Sequence, residues 1–152
     1  MKPIFTLLAA LLLFAGTTAS AQSRDQKLYE AVSKNQVSKV AKLIEEGANV
    51  NYTFRMNNAF FITTLMQATM KNYTDVATLL LNHGADVNAV DGFKMTPLMW
   101  AAHNGNVPLA QLLVEKGAKP DANDGQGNTA LKAAQDQKHA DMIAYLESLG
   151  VK

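Results

Sequence analysis

Residues 91–118 have the sequence DGFKMTPLMWAAHNGNVPLAQLLVEKGA, and this stretch decides the fold. Thr96 is a good helix N-cap and Pro97 suits the first helical position, so a helix is predicted to begin there. Gly105 is predicted to end that helix, because glycine adopts the left-handed conformation that commonly follows a helix. A second helix follows with leucines at core-facing spacing, and Gly117 ends it. The stretch therefore predicts two short helices joined by a tight turn.

The same pattern recurs along the chain. Leu65, Leu98 and Leu131 are each 33 residues apart, and so are the alanines and glycines that follow them. An earlier copy beginning at Leu28 aligns after a shift of 37 residues, because the turn between the first two copies carries four extra residues. Such self-similarity is typical of a repeat protein, in which neighbouring copies stack to bury a continuous core.

These motifs resemble the ankyrin repeat over residues 22–152. The matching residues are Asp91, Thr96, Pro97, Leu98, Ala101, Ala102, Gly105, Leu112, Leu113, Gly117 and Ala118, with Gly84, Ala85, Asp86, Val87 and Asn88 in the preceding copy. The resemblance implies an all-α ankyrin-repeat solenoid of four helix-turn-helix units joined by β-hairpin-like fingers. We expect the units at residues 25–57, 58–90, 91–123 and 124–152.

The sequence departs from the family pattern at several positions. The family usually has a histidine after Thr-Pro-Leu, where it bonds neighbouring turns, whereas this chain has Met66, Met99 and Lys132. We therefore expect that hydrogen-bond network to be absent and apolar stacking of the two methionines to replace it. Lys138 stands where the family has the helix-ending glycine, so the last unit is expected to fray.

The first 21 residues have the layout of a secretory signal peptide. One cation, Lys2, precedes an apolar run at residues 4–15, and Ala19 and Ala21 form a small-residue cleavage pattern. A run of 12 residues is too short for a bilayer, which needs about 20 residues of helix. We expect cleavage after Ala21, no stable membrane insertion afterwards, and a bacterial periplasmic location for residues 22–152.

Composition and residue spacing argue against catalysis, metal binding and nucleic-acid binding in residues 22–152. Residues 22–152 contain 13 basic and 13 acidic side chains, so no electrostatic feature predicts nucleic acid as a partner. There is no cysteine and no Gly-x-Ser-x-Gly, and His83, His103 and His139 fall in three different units without metal-ligand spacing. We expect no enzyme, no catalytic residue, no metal site and no cofactor. The pairs Met66/Met70 and Met95/Met99 leave copper as a minor alternative to packing or partner contact.

By the resemblance, the fingers and the exposed ends of the first helices form a concave binding face. Its first half is aromatic and methionine-rich, as the centres of protein interfaces are, and its far half, in the fourth unit, is polar. The partner-binding candidates are Tyr52, Phe54, Arg55, Met56, Phe60, Ile62, Met70, Phe93, Met95, His103 and Asn104. Alternatively, some rings fold back to cover the first unit. Phe61 is predicted to be core, and Trp100 to pack between units.

These features favour a protein-binding module that is a monomer alone and has an unidentified protein partner. Small exported bacterial proteins of this family suggest two roles. One is an accessory protein of oxidative-stress defence that accompanies a catalase, and the other is an immunity protein that neutralises a periplasm-targeted toxin. A heme or copper carrier is a third class, which would need histidine or methionine ligands.

Overall fold

The computed structural model describes residues 24–57 and 60–151, so the predicted signal peptide lies outside the described residues. Residues 24–33 form helix α1. The other helices are α2 Val37–Glu45, α3 Thr64–Met70, α4 Thr74–Asn82, α5 Pro97–His103, α6 Val107–Glu115, α7 Ala130–Asp136 and α8 Ala140–Ser148. Strands β1, Thr53–Arg55, and β2, Phe61–Thr63, form an antiparallel pair between α2 and α3. This order fits a helical repeat solenoid, and the unit boundaries stay a prediction.

Threonine caps start the three helices that follow a finger. Thr63, Thr96 and Thr129 are the N-caps of α3, α5 and α7, and each hydroxyl accepts the backbone N–H three residues later. Met66 and Met99 are fully buried, as packing in place of the family histidine requires. Within its own turn, the Met99 sulfur accepts the Thr96 N–H at 3.4 Å.

The turns inside the helix pairs share a left-handed residue. Asn35, Asn72, Gly105 and Lys138 have φ values of 53°, 59°, 68° and 60°. Asparagine and glycine adopt this conformation readily, and it is the conformation predicted for Gly105. Lys138 closes its turn in the same way, and α8 follows directly. The ring of His139 packs against Gly105.

The core lies between two rows of helices. Helices α3, α5 and α7 pack against one another as an inner row, whereas α2 packs against α4 and α6 against α8 in an outer row. Ala68, Ala101 and Ala134 are fully buried in the inner row, where small side chains let helix backbones approach closely. Tight packing of this row sets the spacing between the fingers that precede its helices.

Asparagine side chains tie successive loops together. The Asn51 amide donates to the Gly84 carbonyl at 3.1 Å, and its oxygen accepts the Asp86 N–H at 2.7 Å. Asn88 makes the same pair of bonds to the Gly117 carbonyl and to the N–H two residues beyond it. Each asparagine therefore provides a hydrogen bond to a loop carbonyl just after a helix of the next unit.

Gly105→Asn is expected to lower the free energy of unfolding by about 1–3 kcal/mol. Asn35 and Asn72 show that asparagine accepts this backbone conformation, but a Cβ at position 105 would lie 2.7 Å from the His139 ring. Urea denaturation of Gly105→Asn, His139→Ala and the double variant measures the coupling. The asparagine should cost less in the His139→Ala background, and an equal cost in both backgrounds would contradict the steric explanation.

Candidate functional site: the finger face

The first finger is a hairpin whose two faces have different roles. Phe54 pairs with Ile62, and Arg55 pairs with Phe61 across the strands. The Phe54 ring stacks on Tyr29 of α1 with centroids 4.3 Å apart and planes at 9°. The Arg55 guanidinium lies 5.7 Å from the centroid of Phe61, within cation–π range. The hairpin face that carries Phe54 therefore covers the first helix pair, which agrees with the alternative that some rings fold back onto the first unit. The face that carries Arg55 and Phe61 lies on the outer side of the hairpin.

Several predicted contact residues are not free at the surface. Ile62 is only 2% exposed, because its strand position points the side chain into the interior, so it leaves the proposed contact set. The Asn104 side-chain amide donates to the carbonyls of Thr69 and Met70 at 3.1 and 3.2 Å, which ties α5 to the end of α3. Tyr52 and Met70 are themselves half-buried.

The most exposed apolar side chains lie at the finger tips. Phe93 is 66% exposed and Met56 is 63% exposed. The rings of Phe60 and Phe93 meet with centroids 5.0 Å apart and planes at 50°, a favourable tilted arrangement. The Gly92 N–H donates to the Phe61 carbonyl at 3.1 Å and fastens the two fingers together. We call the pair formed by the half-buried Phe60 and the exposed Phe93 the aromatic ridge.

A buried carboxylate shapes the second finger, residues 91–95. Asp91 is 1% exposed, and its Oδ1 accepts the backbone N–H groups of Phe93 and Met95 at 2.8 and 2.9 Å. Its Oδ2 accepts the Trp100 Nε1–H at 3.0 Å. One side chain therefore holds the backbone of the aromatic ridge and orients the indole beside it.

Asp124 plays the matching part in the third finger, residues 124–128. Its Oδ1 accepts the N–H groups of Gln126 and Asn128 at 2.8 and 3.0 Å, and its Oδ2 accepts the Asn128 side-chain amide at 2.6 Å. The Asn128 side-chain bond, followed by the Gln126 N–H, holds the pKa of the Asp124 carboxyl below its usual range. The charged form is therefore the one that the folded finger stabilises.

A cleft of about 470 Å³ lies between the second and third fingers, within the 300–1,000 Å³ typical of ligand sites. A smaller cleft of about 260 Å³ shares Met95 and includes His103, between α5 and α7. Of the predicted contact residues, the structure thus brings together Phe93, Met95 and His103. The side chains that dominate the larger cleft are Phe93, Met95 and Trp100 on one side and Asp124, Gln126 and Asn128 on the other.

Five side chains of the cleft were not among the predicted contacts, namely Lys94, Trp100, Asp124, Gln126 and Asn128. Trp100, interpreted as inter-unit packing, is half-buried and lines the cleft, where its N–H is bound to Asp91. Lys94 also lines it and stands 33 residues before Gly127, so it replaces a turn glycine. The sequence alone therefore could have indicated that Lys94 is unusual. It could not have indicated that Trp100 lies beside the third finger, because that position depends on packing between units.

The methionine pairs combine core and surface positions. Met66 and Met99 are fully buried, whereas Met70 and Met95 are half-buried, so each pair has one sulfur inside the core. Within residues 24–57 and 60–151, no group of three or more His, Cys, Asp or Glu side chains is placed to hold a metal ion. None of the helices described is long and apolar enough to cross a membrane.

A family model described as Ankyrin repeats (3 copies) matches residues 65–152, which is more than half of the chain. The chain therefore belongs to the ankyrin repeat family. Members of this family are generally non-enzymatic modules for protein interaction, and the exposed finger face agrees with that class.

Similar proteins come from eukaryotes and a virus. The Mitochondrial disaggregase of Bos taurus is 37% identical over 86 residues, and that of Homo sapiens is 36% identical over 86 residues. Each match covers 57% of this chain but 12% of the relative. The Putative ankyrin repeat protein FPV222 of Fowlpox virus is 40% identical over 62 residues, 41% of this chain and 8% of the relative. The chain thus spans a small part of each of these relatives, and the matches support the repeat rather than their whole activities.

Asp91→Ala is expected to lower the free energy of unfolding by about 2–3 kcal/mol, because the Trp100 indole and two backbone N–H groups lose their acceptor. Urea denaturation followed by fluorescence of Trp100, the single tryptophan, measures this loss. Asp121→Ala, which removes an exposed carboxylate, is the control and should stay within about 0.5 kcal/mol of the parent. Equal effects of the two substitutions would contradict the structural role of Asp91.

Asp124→Asn is expected to reduce stability at neutral pH and to have less effect in acid. Since the folded state lowers the pKa of this carboxyl, its contribution is present above the unfolded pKa and is lost as the pH falls through the folded one. Urea denaturation of parent and variant at pH 7 and at several values below about 4 measures the difference. A difference that stays constant over this range would contradict the prediction.

Proposed function

We propose that this chain is a non-enzymatic protein-binding module that captures its partner on the finger face, with the aromatic ridge as the central contact. The observation that carries this proposal is the 66% exposure of Phe93 beside Phe60 and the 470 Å³ cleft. Large aromatic side chains at the surface are enriched in interface hot spots, where each buries 150–250 Å². The half-buried Met95 and the exposed Met56 extend this apolar contact.

Hydrogen bonds hold the backbone of the second finger, on which Phe93 lies, and this supports binding. Asp91 fixes the Phe93 N–H, and the Gly92 N–H is bonded to the first finger. A preorganised contact loses less conformational entropy on association than a flexible loop does. Binding therefore requires little rearrangement of the second finger.

We also propose export to the periplasm through residues 1–21, with cleavage after Ala21 and a monomeric product. The proposed role there is that of an accessory protein in oxidative-stress defence, associated with a catalase. The hydrogen-bonded second finger supports a second candidate, an immunity protein that neutralises a periplasm-targeted toxin. An immunity protein should form a very tight one-to-one complex, whereas an accessory protein should bind more weakly and transiently. Affinity measured on the purified complex separates the two.

Phe93→Asp and Phe60→Asp are each expected to abolish partner capture, because loss of a hot-spot ring costs about 2 kcal/mol or more of binding energy. Tagged protein is used to capture its partner from periplasmic extract, mass spectrometry identifies the partner, and calorimetry measures its affinity for each variant. Helicity and melting temperature should stay close to those of the parent.

Val37→Asp is the matched control, since Val37 is an exposed apolar residue of α2, 38% exposed and outside the finger face. It should retain capture. Unfolding of both ring variants would show that the rings are structural, and intact capture by both would contradict the proposed site.

A further inference from the structure

The charged side chains are sorted between the two sides of the solenoid, although the chain is close to neutral overall. The outer helices α2, α4, α6 and α8, with the loops that follow them, carry eight acidic and four basic side chains in the described residues. The fingers and the inner row α3, α5 and α7, with their following turns up to residues 71, 106 and 138, carry five basic and three acidic ones. Helix α1 and its turn, residues 24–36, carry three basic and two acidic ones. A neutral total therefore conceals a strongly polarised surface.

The acidic side chains of the finger side do not present free charge to a partner. Asp91 and Asp124 are 1% and 6% exposed, and their carboxylates accept hydrogen bonds within their own fingers. Asp136 pairs with Lys132 at 3.5 Å. The cations of this side that form no ion pair with another described residue are Arg55, Lys71, Lys94 and Lys138. The accessible charge of the finger face is therefore positive.

Lys94 is held at the cleft in an unfavourable backbone conformation. Its φ is 61°, and Gly127 at the matching place in the third finger has a φ of 87°. A left-handed conformation costs a non-glycine residue about 1 kcal/mol, and such strain tends to persist at functional sites. The Lys94 amine reaches across towards the third finger, 3.9 Å from where a Cβ of Gly125 would stand. The strained turn thus places a cation at the cleft that Phe93, Met95 and Trp100 also line.

We propose that the partner of this chain presents an extended acidic peptide segment to the finger face. An apolar side chain of that segment enters the cleft between the second and third fingers, and carboxylates beside it in sequence lie against Lys94 and Arg55. This inference rests on the proposed protein-binding function and adds the chemistry of the partner. Complementary charge gives such a segment its orientation, and burial of its apolar side chain gives it affinity.

A short polypeptide fits this surface better than a polyphosphate does. Binding of nucleic acid draws its affinity from many phosphate contacts along a basic track. The finger face offers four separated cations, of which Lys94 alone lines the cleft, and eight acidic side chains on the outer side repel an extended polyanion.

Fluorescence anisotropy of the full chain with three labelled peptides tests the proposal. The acidic probe has a central Leu-Phe flanked by glutamates, the second probe replaces the glutamates by lysines, and the third replaces Leu-Phe by serines. The acidic probe should bind about tenfold or more tightly than either of the others, and its affinity should fall as salt is added. Lys94→Glu and Phe93→Asp should each weaken it by about tenfold or more. Lys119→Glu makes the same change of charge in the loop after α6 and should leave it unchanged.

The outcomes separate this inference from the proposed function. If the acidic probe binds no better than the lysine probe, while Phe93→Asp still abolishes capture of the native partner, the acidic-segment inference is overturned and the protein-binding function stands. If Phe93→Asp and Phe60→Asp both leave native capture intact, the proposed function fails. Oligothymidylate or phosphatidylglycerol vesicles that bind as tightly as the acidic probe, and lose binding in Lys94→Glu, would show a general anion site and would also overturn the inference.

Discussion

Close packing of the inner helices is the constraint on which the structure depends. A pair of helices of seven and nine residues is too short to be stable alone, so each pair relies on its neighbours to bury its apolar face. Ala68, Ala101 and Ala134 make that burial dense because their small side chains let the inner helices approach. The spacing of these helices sets the spacing of the fingers, and the cleft between the second and third fingers is a product of it.

The carboxylates of Asp91 and Asp124 stabilise the fingers and also determine which charges the finger face exposes. Asp91 and Asp124 begin two successive fingers, and both are buried and satisfied by N–H donors. Because their charges are used inside the fingers, the exposed charge of the face comes from cations such as Lys94. The same hydrogen bonds also hold the backbone of Phe93 still. The same hydrogen bonds of the finger carboxylates therefore contribute both to folding and to the proposed binding of a partner.

The enlarged first finger explains why aromatic residues are abundant near the start of the repeats. Strand alternation sends Phe54 towards Tyr29 and Ile62 into the interior, while Arg55 and Phe61 stay on the other face. The extra residues thus provide a cover for the first helix pair and also a contact for the second finger. A terminal unit of a solenoid needs such a cover, since it has a neighbour on one side only.

The repeat period, the threonine caps, the left-handed turn at Gly105 and the aromatic character of the face could be predicted from the sequence, because each depends on neighbouring residues or on spacing along the chain. The sequence also predicted Phe93, Met95 and His103, which the structure brings to the clefts. Only the tertiary structure decided that Ile62 is buried, that Asn104 bonds to the end of α3, and that Trp100 and Lys94 line the main cleft. Those outcomes arise from contacts between residues about 30 or more apart, which local patterns do not encode.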